Sequence, residues 1–246
     1  QKELLDAGLA VNGKKGGVYD RFRNRLMFPI IDIRGNVIGF GGRVMDDSTP
    51  KYLNSPETII FNKRRNLFAM NVVKKSKREF IILTEGYMDA IALHQYGFDC
   101  AVASLGTSLT QEHADMLSKY TDELVLTYDG DEAGQNATQR AIPMLERTGL
   151  RVRILRMRGA KDPDEFLKKY GADRFRLLLE HLGERPEVRL TRFRPDERKS
   201  GGAYETVSGI VKQIDLIARR IRLLDGTDIP MDDVLTLDGA LFDVLD

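Results

Sequence analysis

Five carboxylates stand where sequence pattern alone would let them act together: Glu85, Asp129, Asp131, Asp162 and Asp164. Each follows a short apolar run. Residues 80–83 lead through Thr84 to Glu85 and Gly86. Residues 124–128 lead into Asp129-Gly130-Asp131, and residues 152–157 into Asp162-Pro163-Asp164. Apolar runs of this length bounded by turn residues read as buried strands. Ligand sites of open parallel sheets form at the carboxyl ends of the strands, so the five acids are predicted to converge on one edge. Carboxylates brought together repel unless a cation neutralises them. Hard oxygen donors suit Mg²⁺ or Mn²⁺, and such ions serve phosphoryl transfer by orienting phosphates and stabilising the attacking and leaving oxygens. The competing account makes each acid a helix cap or turn residue. It suffices for one acid; three strands with the same ending favour the metal site.

The elements that must position these acids are strands at 79–84, 100–105, 123–128 and 151–157. They alternate with helices at 87–96, 110–119, 132–147 and 163–170, and Pro143 is expected to bend the third helix. Strand–helix alternation of this kind predicts an α/β fold with a parallel sheet between helices. Before it, residues 26–33 and 37–40 read as a hairpin around Arg34-Gly35-Asn36, with Pro29 marking an edge or a bulge. Residues 2–10 suit a short helix, and 12–17 a loop.

The net charge of +1 is unevenly spread: +8 over residues 1–80, −4 over 81–180 and −3 over 181–246. A basic stretch beside an acidic one suits a polyanion that is gripped and brought to metal ions. Within the basic part, Lys51, Lys63, Arg64 and Arg65 lie near Tyr52, Asn54 and Ser55, a mixture suited to nucleotide or nucleic-acid contact. Arg21, Arg23 and Arg25 alternate and would share one face of a strand. An ordinary solvated surface is the plainer account of both groups. With 42% apolar and 30% charged residues and no long apolar run, the chain reads as globular without a membrane span. One cysteine, Cys100, excludes an internal disulfide and fits a cytoplasmic protein. With three scattered histidines (His94, His113, His181) it makes no zinc site.

Residues 183–203, with Gly and Pro among charges, read as a linker. From 204 the texture is β, with strands at 207–214, 220–224 and 228–237 and turns at 217–219 and 225–226. Val207, Ile210, Ile214, Ile221, Leu223 and Ile229 are its expected core, and Asp232 and Asp233 its turn residues.

These motifs together resemble the catalytic core of bacterial DnaG-type DNA primases. Phe22-Arg-Asn-Arg-Leu-Met-Phe-Pro-Ile, Gly39-Phe-Gly-Gly-Arg-Val and Pro50-Lys-Tyr-Leu-Asn-Ser-Pro-Glu-Thr look like that family's basic subdomain. Glu85-Gly-Tyr-Met-Asp89, Asp129-Gly-Asp131 and Lys161-Asp-Pro-Asp-Glu-Phe look like its TOPRIM subdomain. Similar acids occur in topoisomerases and some nucleases; the Pro-Lys-Tyr-Leu-Asn-Ser-Pro-Glu segment selects primase. The resemblance covers residues 1–180. It implies a basic subdomain at 1–78, a TOPRIM metal-binding domain at 79–182, the linker and a small β-module at 204–246 whose sequence resembles a YolD-like segment. It further implies RNA primer synthesis from ribonucleoside triphosphates on single-stranded DNA in replication. Glu85, Asp129 and Asp131 would be the principal acids of the Mg²⁺ or Mn²⁺ site, completed by Asp89, Asp162 and Asp164. Arg43, Lys51 and Lys63 would hold phosphates, joined at the nucleic-acid face by Arg23, Arg25, Tyr52 and Asn54. The family's zinc-binding and helicase-binding domains have no counterpart in these residues, so a replicative helicase is a partner of the family rather than of this segment. The alternative is a non-catalytic nucleic-acid-binding or regulatory primase fragment fused to the YolD-like module. Tyr87, Tyr96 and Tyr128, conceivable nucleophiles, fit packing roles better.

Overall fold

The computed structural model describes residues 1–157, 159–180, 187–195, 202–215 and 219–238. Residues 1–176 form one compact unit and 177–246 a second.

The first unit begins with helix α1 (Lys2–Asp6) and a small hairpin of β1 (Ala10–Asn12) and β2 (Val18–Asp20). An antiparallel sheet follows, in the order β3-β4-β5: β3 (Arg25–Ile31), β4 (Val37–Val44) and β5 (Tyr52–Asn54). Pro29 lies in β3, an edge strand, where its missing N–H costs no ladder bond. The expected single arginine strand does not form. Asn24 takes φ 49, which ends the extended run, so Arg21 and Arg23 lie outside any strand and only Arg25 is in β3. A short 3₁₀ turn (Lys63–Arg65) and helix α2 (Met70–Val73) lead onward.

The parallel sheet comprises β6 (Phe80–Thr84), β7 (Ala101–Ala103), β8 (Glu123–Thr127) and β9 (Arg151–Ile154), in the order β7-β6-β8-β9. Helices α3 (Tyr87–Gln95), α4 (Gln111–Leu117) and α5 (Glu132–Glu146) connect them, and α6 (Pro163–Glu180) follows β9. Each expected strand and helix is present, with shorter strands and a longer last helix. Glycine 171, at φ 81, kinks α6 and lets the chain continue past the predicted end. Pro143 lies inside α5, which runs on to Glu146. On one face Ile81, Leu83, Val102, Leu124 and Leu126 pack with Ala114, Leu117, Ala141 and Leu145. Alternation turns the buried Ile82 and Val125 to the other face. A strand buried on both faces needs an unbroken apolar run, which is what these short segments supply.

The basic and parallel sheets are joined within this one unit. The backbone of Phe68 pairs with that of Ala103. Asn54 Nδ2 donates to Leu105 O at 3.0 Å. The Tyr87 ring rests against Phe28, Tyr52 and Phe68, with centroids 5.3–5.6 Å apart. Gly41 permits this approach: a Cβ there would stand 3.0 Å from Tyr87 Cζ.

The second unit is an antiparallel sheet in the order β13-β12-β11-β10-β14. Its strands are β10 (Glu187–Pro195), β11 (Gly202–Asp215), β12 (Arg220–Leu223), β13 (Asp228–Pro230) and β14 (Val234–Asp238). Residues 187–195, expected in a linker, instead form β10, paired with β11 along its length. Val188 and Leu190 alternate inward there, a period-2 signal outweighed in the sequence by flanking Pro and Gly. The core is Val188, Leu190, Ile221, Leu223 and Ile229, with Val207 partly buried against it. Ile210 turns outward, because β11 places it on the face of Tyr204 and Thr206. The Ile214 side chain, His181 and linker residues 183–186 and 196–201 lie outside the described residues, while 202 and 203 open β11. Asp232 and Asp233 sit in a 3₁₀ turn, where Arg219 pairs with Asp232.

Candidate nucleotide and metal site

A cavity of about 1290 Å³ opens at the carboxyl ends of the parallel strands. Its acidic wall carries Glu85, Asp89, Asp129, Asp162 and Asp164; its basic wall carries Arg43, Lys51, Tyr52 and Asn54. Glu85 ends β6. Its carbonyl accepts from Ser104 Oγ at 3.0 Å, and Thr84 Oγ1 donates to Gly86 O at 3.0 Å, so hydroxyls hold the turn that presents it. Asp89 projects from the first turn of α3. Asp129 lies in the turn between β8 and α5. The Gly130 N–H donates to Lys161 O at 3.1 Å, tying this turn to the loop that carries Asp162. Gly134 is required there: a Cβ would fall 2.1 Å from Asp129 O.

Two acids also cap helices, so the metal and capping accounts meet in the same side chains. Asp131 Oδ1 accepts from the Gly134 N–H at 2.8 Å as the cap of α5. Asp131 does not line the cavity. Asp162 Oδ1 accepts from the Glu165 N–H at 2.8 Å at the start of α6.

The acids act on one another. Burial, followed by the charges of Asp162 and Asp129, pushes the Asp89 carboxyl up to about 7. Burial and the charge of Glu85 push Asp129 up to about 6. Carboxylates that resist ionisation together are a donor set for a hard divalent cation, whose charge would relieve both effects. As placed, no three of the acids among the described residues stand close enough to hold one ion. Side-chain rotation would have to complete such a site, and the donor chemistry fits it.

On the basic wall, Arg43 and Lys51 lie 6.0 and 5.8 Å from the Tyr52 ring centroid. Three residues expected here lie elsewhere. Arg23 stacks over Tyr19 at 5.1 Å. Arg25 donates from Nη1 to Gly42 O and Lys51 O, both at 3.4 Å, and so braces β4 and the segment before β5. Lys63 lies in the 3₁₀ turn and outside the cavity lining. That turn is held by α4. His113 Nε2 lies 2.9 Å from Lys63 O, and Thr110 Oγ1 donates to Arg64 O at 2.7 Å. Burial holds the His113 imidazole below its ordinary pKa, against the opposing pull of the Lys63 and Asn66 carbonyls. Sequence reasoning missed this brace, and also the lining residues Ser104, Thr107, Arg140, Lys161 and Lys168. Of these, only Lys161 sat inside a recognised motif. Two of the three tyrosines pack as expected: burial pushes the Tyr87 phenol up to about 12 and raises that of Tyr128, which disfavours either as a nucleophile, whereas Tyr96, just past α3, is exposed rather than packed. Cys100 is buried.

A parallel sheet with carboxylates at its strand ends, facing a basic antiparallel sheet across one cavity, defines a Toprim-type protein with an added basic domain. Residues 82–167 match the Toprim-like family model, and residues 1–74 match that of the N-terminal domain of the DNA primase catalytic core. Over residues 1–167 the chain carries the basic and Toprim parts of a DnaG-type primase catalytic core. The DNA primase of Clostridium acetobutylicum is 46% identical over 229 residues, 91% of this chain and 37% of that protein. The DNA primase of Escherichia coli strain K12 is 45% identical over 186 residues, 73% of this chain and 32% of that protein. The chain thus spans about a third of the length of these relatives. Among solved structures, Aquifex aeolicus primase (zinc-binding and RNA polymerase domains) superposes with TM-score 0.70 at 41% identity, over 74% of this chain and 46% of that one. The DnaG primase catalytic domain bound to single-stranded DNA gives 0.69 at 44% identity, over 74% and 60%. Among the described residues no helix is long and apolar enough to cross a membrane.

Proposed function

We propose that this chain forms the polymerising core of a primase, a cytoplasmic nucleotidyltransferase that makes short RNA primers during replication. Its substrates are ribonucleoside triphosphates, its template single-stranded DNA and its growing product the RNA primer. In the reaction the primer 3′-hydroxyl attacks the α-phosphate of the incoming nucleotide and pyrophosphate leaves. One observation carries the reading: Arg43 and Lys51 face Glu85, Asp89, Asp129, Asp162 and Asp164 across a single cavity. Bound Mg²⁺ or Mn²⁺ would neutralise phosphate charge and stabilise the oxygens that attack and leave. Glu85, Asp89, Asp129, Asp162 and Asp164 would hold it, and Asp131, whose charge bears on Asp129, would add to the negative field there. Arg43 and Lys51 bind phosphate by charge and N–H donation, whatever the base. The exposed Tyr52 ring offers a base a stacking face. Asn54 has its amide committed to Leu105 and its Oδ1 buried, so it ties β5 to the parallel sheet rather than offering a free polar atom to a ligand.

The test is primer synthesis on single-stranded DNA with the four ribonucleoside triphosphates, first in Mg²⁺ and then in Mn²⁺. Short template-dependent RNA is expected, and its loss in Asp129→Ala. DNA binding without RNA product in either metal would overturn the reading in favour of the non-catalytic alternative.

A further inference from the structure

Among the described lysines of the cavity, one forms a tight ion pair with a cavity acid. Lys168 lies one turn beyond Asp164 on α6, with its Nζ 2.6 Å from Asp164 Oδ2. The other three are placed differently. Lys51 lies 5.8 Å over the Tyr52 ring, Lys161 Nζ is 4.0 Å from Asp162 Oδ2, and Lys169 donates to Gly159 O at 3.2 Å and lies 5.0 Å over the Tyr170 ring. The Lys168 side chain is 68% exposed. An exposed i,i+4 pair adds little to helix stability and separates cheaply. Lys168 also feels Asp162 beside it and Arg43 of the opposite wall. It therefore stands where the acidic and basic walls come within electrostatic reach.

A carboxylate oxygen engaged by an ammonium is a poorer ligand for a divalent cation, so Lys168 and such a cation compete for Asp164. Once displaced, the ammonium cannot remain beside the cation without repulsion. It needs another anion within the reach of its flexible stem. Lysine is a compact point charge with three donors, well matched to phosphate oxygens. Beyond the acids the cation would share, the lining holds Glu165, whose Oε2 already accepts from the Lys161 N–H at 3.3 Å.

We propose that Lys168 is a positioning residue with two alternating partners. It holds Asp164 until a divalent cation takes that carboxylate, and then swings to the non-bridging oxygens of the incoming nucleotide's β- and γ-phosphates. This couples cation entry to triphosphate capture, and it rests on the reading of the cavity as a nucleotide site. No bond is made or broken; one ion pair is exchanged for another.

Two binding measurements that need no turnover test it. Mn²⁺ alone is titrated by paramagnetic resonance. ATP with saturating Mg²⁺ is titrated by calorimetry, beside AMP. The proteins are wild type, Lys168→Met and Lys168→Arg, each checked by thermal melting for an intact fold. The exposed site makes folding of all three the expectation. Removing a competitor should tighten Mn²⁺ binding by Lys168→Met about threefold, the scale of an exposed ion pair. Removing a charged donor should weaken ATP binding about tenfold or more, with little change for AMP, which lacks the β- and γ-phosphates. Lys168→Arg should restore most of the ATP affinity. Unchanged ATP binding in Lys168→Met overturns the proposal, as does weaker binding of both Mn²⁺ and ATP, which would mean that Lys168 merely orients Asp164. Equal loss for ATP and AMP overturns the assignment to the β- and γ-phosphates. Failure of the wild type itself to bind ATP in Mg²⁺ would instead remove the nucleotide-site reading, and this inference with it.

Discussion

Asp89→Asn offers a quantitative test of the crowded carboxylates. Asp89 sits at the start of α3, where burial and the charges of Asp162 and Asp129 raise its pKa from 3.8 to about 7. In the unfolded chain the same carboxyl ionises near its ordinary value. Between those two pH values the native state therefore binds more protons than the unfolded one. The sign follows directly: this group's contribution is most favourable below about pH 4 and is lost as pH rises through about 7. At 1.36 kcal/mol per pKa unit the full cost at pH 8 is roughly 4 kcal/mol, and solvent screening in an open cavity lowers it to about 2–4 kcal/mol. The amide of Asn keeps the shape and never ionises. Asp89→Asn should therefore be more stable than wild type at pH 8 in chelator, with an advantage about 2 kcal/mol smaller at pH 5. Urea unfolding at the two pH values measures this, provided the m-values match. Added Mg²⁺ should raise the wild-type midpoint more than that of the variant, because it neutralises a charge only the wild type carries. An advantage equal at both pH values, or a variant less stable at pH 8, would refute the electrostatic account of the site.

Asp129→Ala and Asp131→Ala should both abolish primer synthesis but differ in stability. Loss of the α5 cap in Asp131→Ala should cost about 1 kcal/mol, whereas Asp129→Ala should cost nothing in chelator; urea midpoints separate them. Lys51→Ala should weaken binding of single-stranded DNA equally across sequences and lower the salt slope by about 1. Lys63→Ala, outside the cavity, should shift both less, and an equal effect in titrations at several salt concentrations would extend the phosphate site to the 3₁₀ turn. Leu223→Ala should destabilise the second unit by about 2–5 kcal/mol while ATP binding by the first is retained; loss of ATP binding at a temperature where residues 1–176 remain folded would make the tail part of the nucleotide site.

The sequence by itself determined the parallel sheet and the place of its acids. Segments such as 80–84 and 123–127 are apolar throughout because both faces of a parallel strand are buried, and the residues just beyond must turn and meet solvent, so Glu85 and Asp129 could be placed from the pattern alone. The basic motif was legible because Arg43, Lys51, Tyr52 and Asn54 are close in sequence, and Arg43 pairs with Tyr52 across β4 and β5. Only the tertiary structure decided the rest. Asn24 at positive φ broke an alternation that seemed to align three arginines. The caps at Asp131 and Asp162 agree with the predicted helix starts at 132 and 163, but that Asp162 lines the cavity and Asp131 does not was set by the fold. The brace of His113 on the Lys63 turn left no trace in the pattern because it joins residues 50 apart in the chain, whereas the pairing of Lys168 with Asp164, one turn apart on a predicted helix, is local. The second unit was misread at its first strand because Pro and Gly beside 187–195 argued for a linker, and pairing with β11 overrode them. Local pattern reports burial and turns; which buried or charged groups meet is set by packing between segments that are distant in the chain.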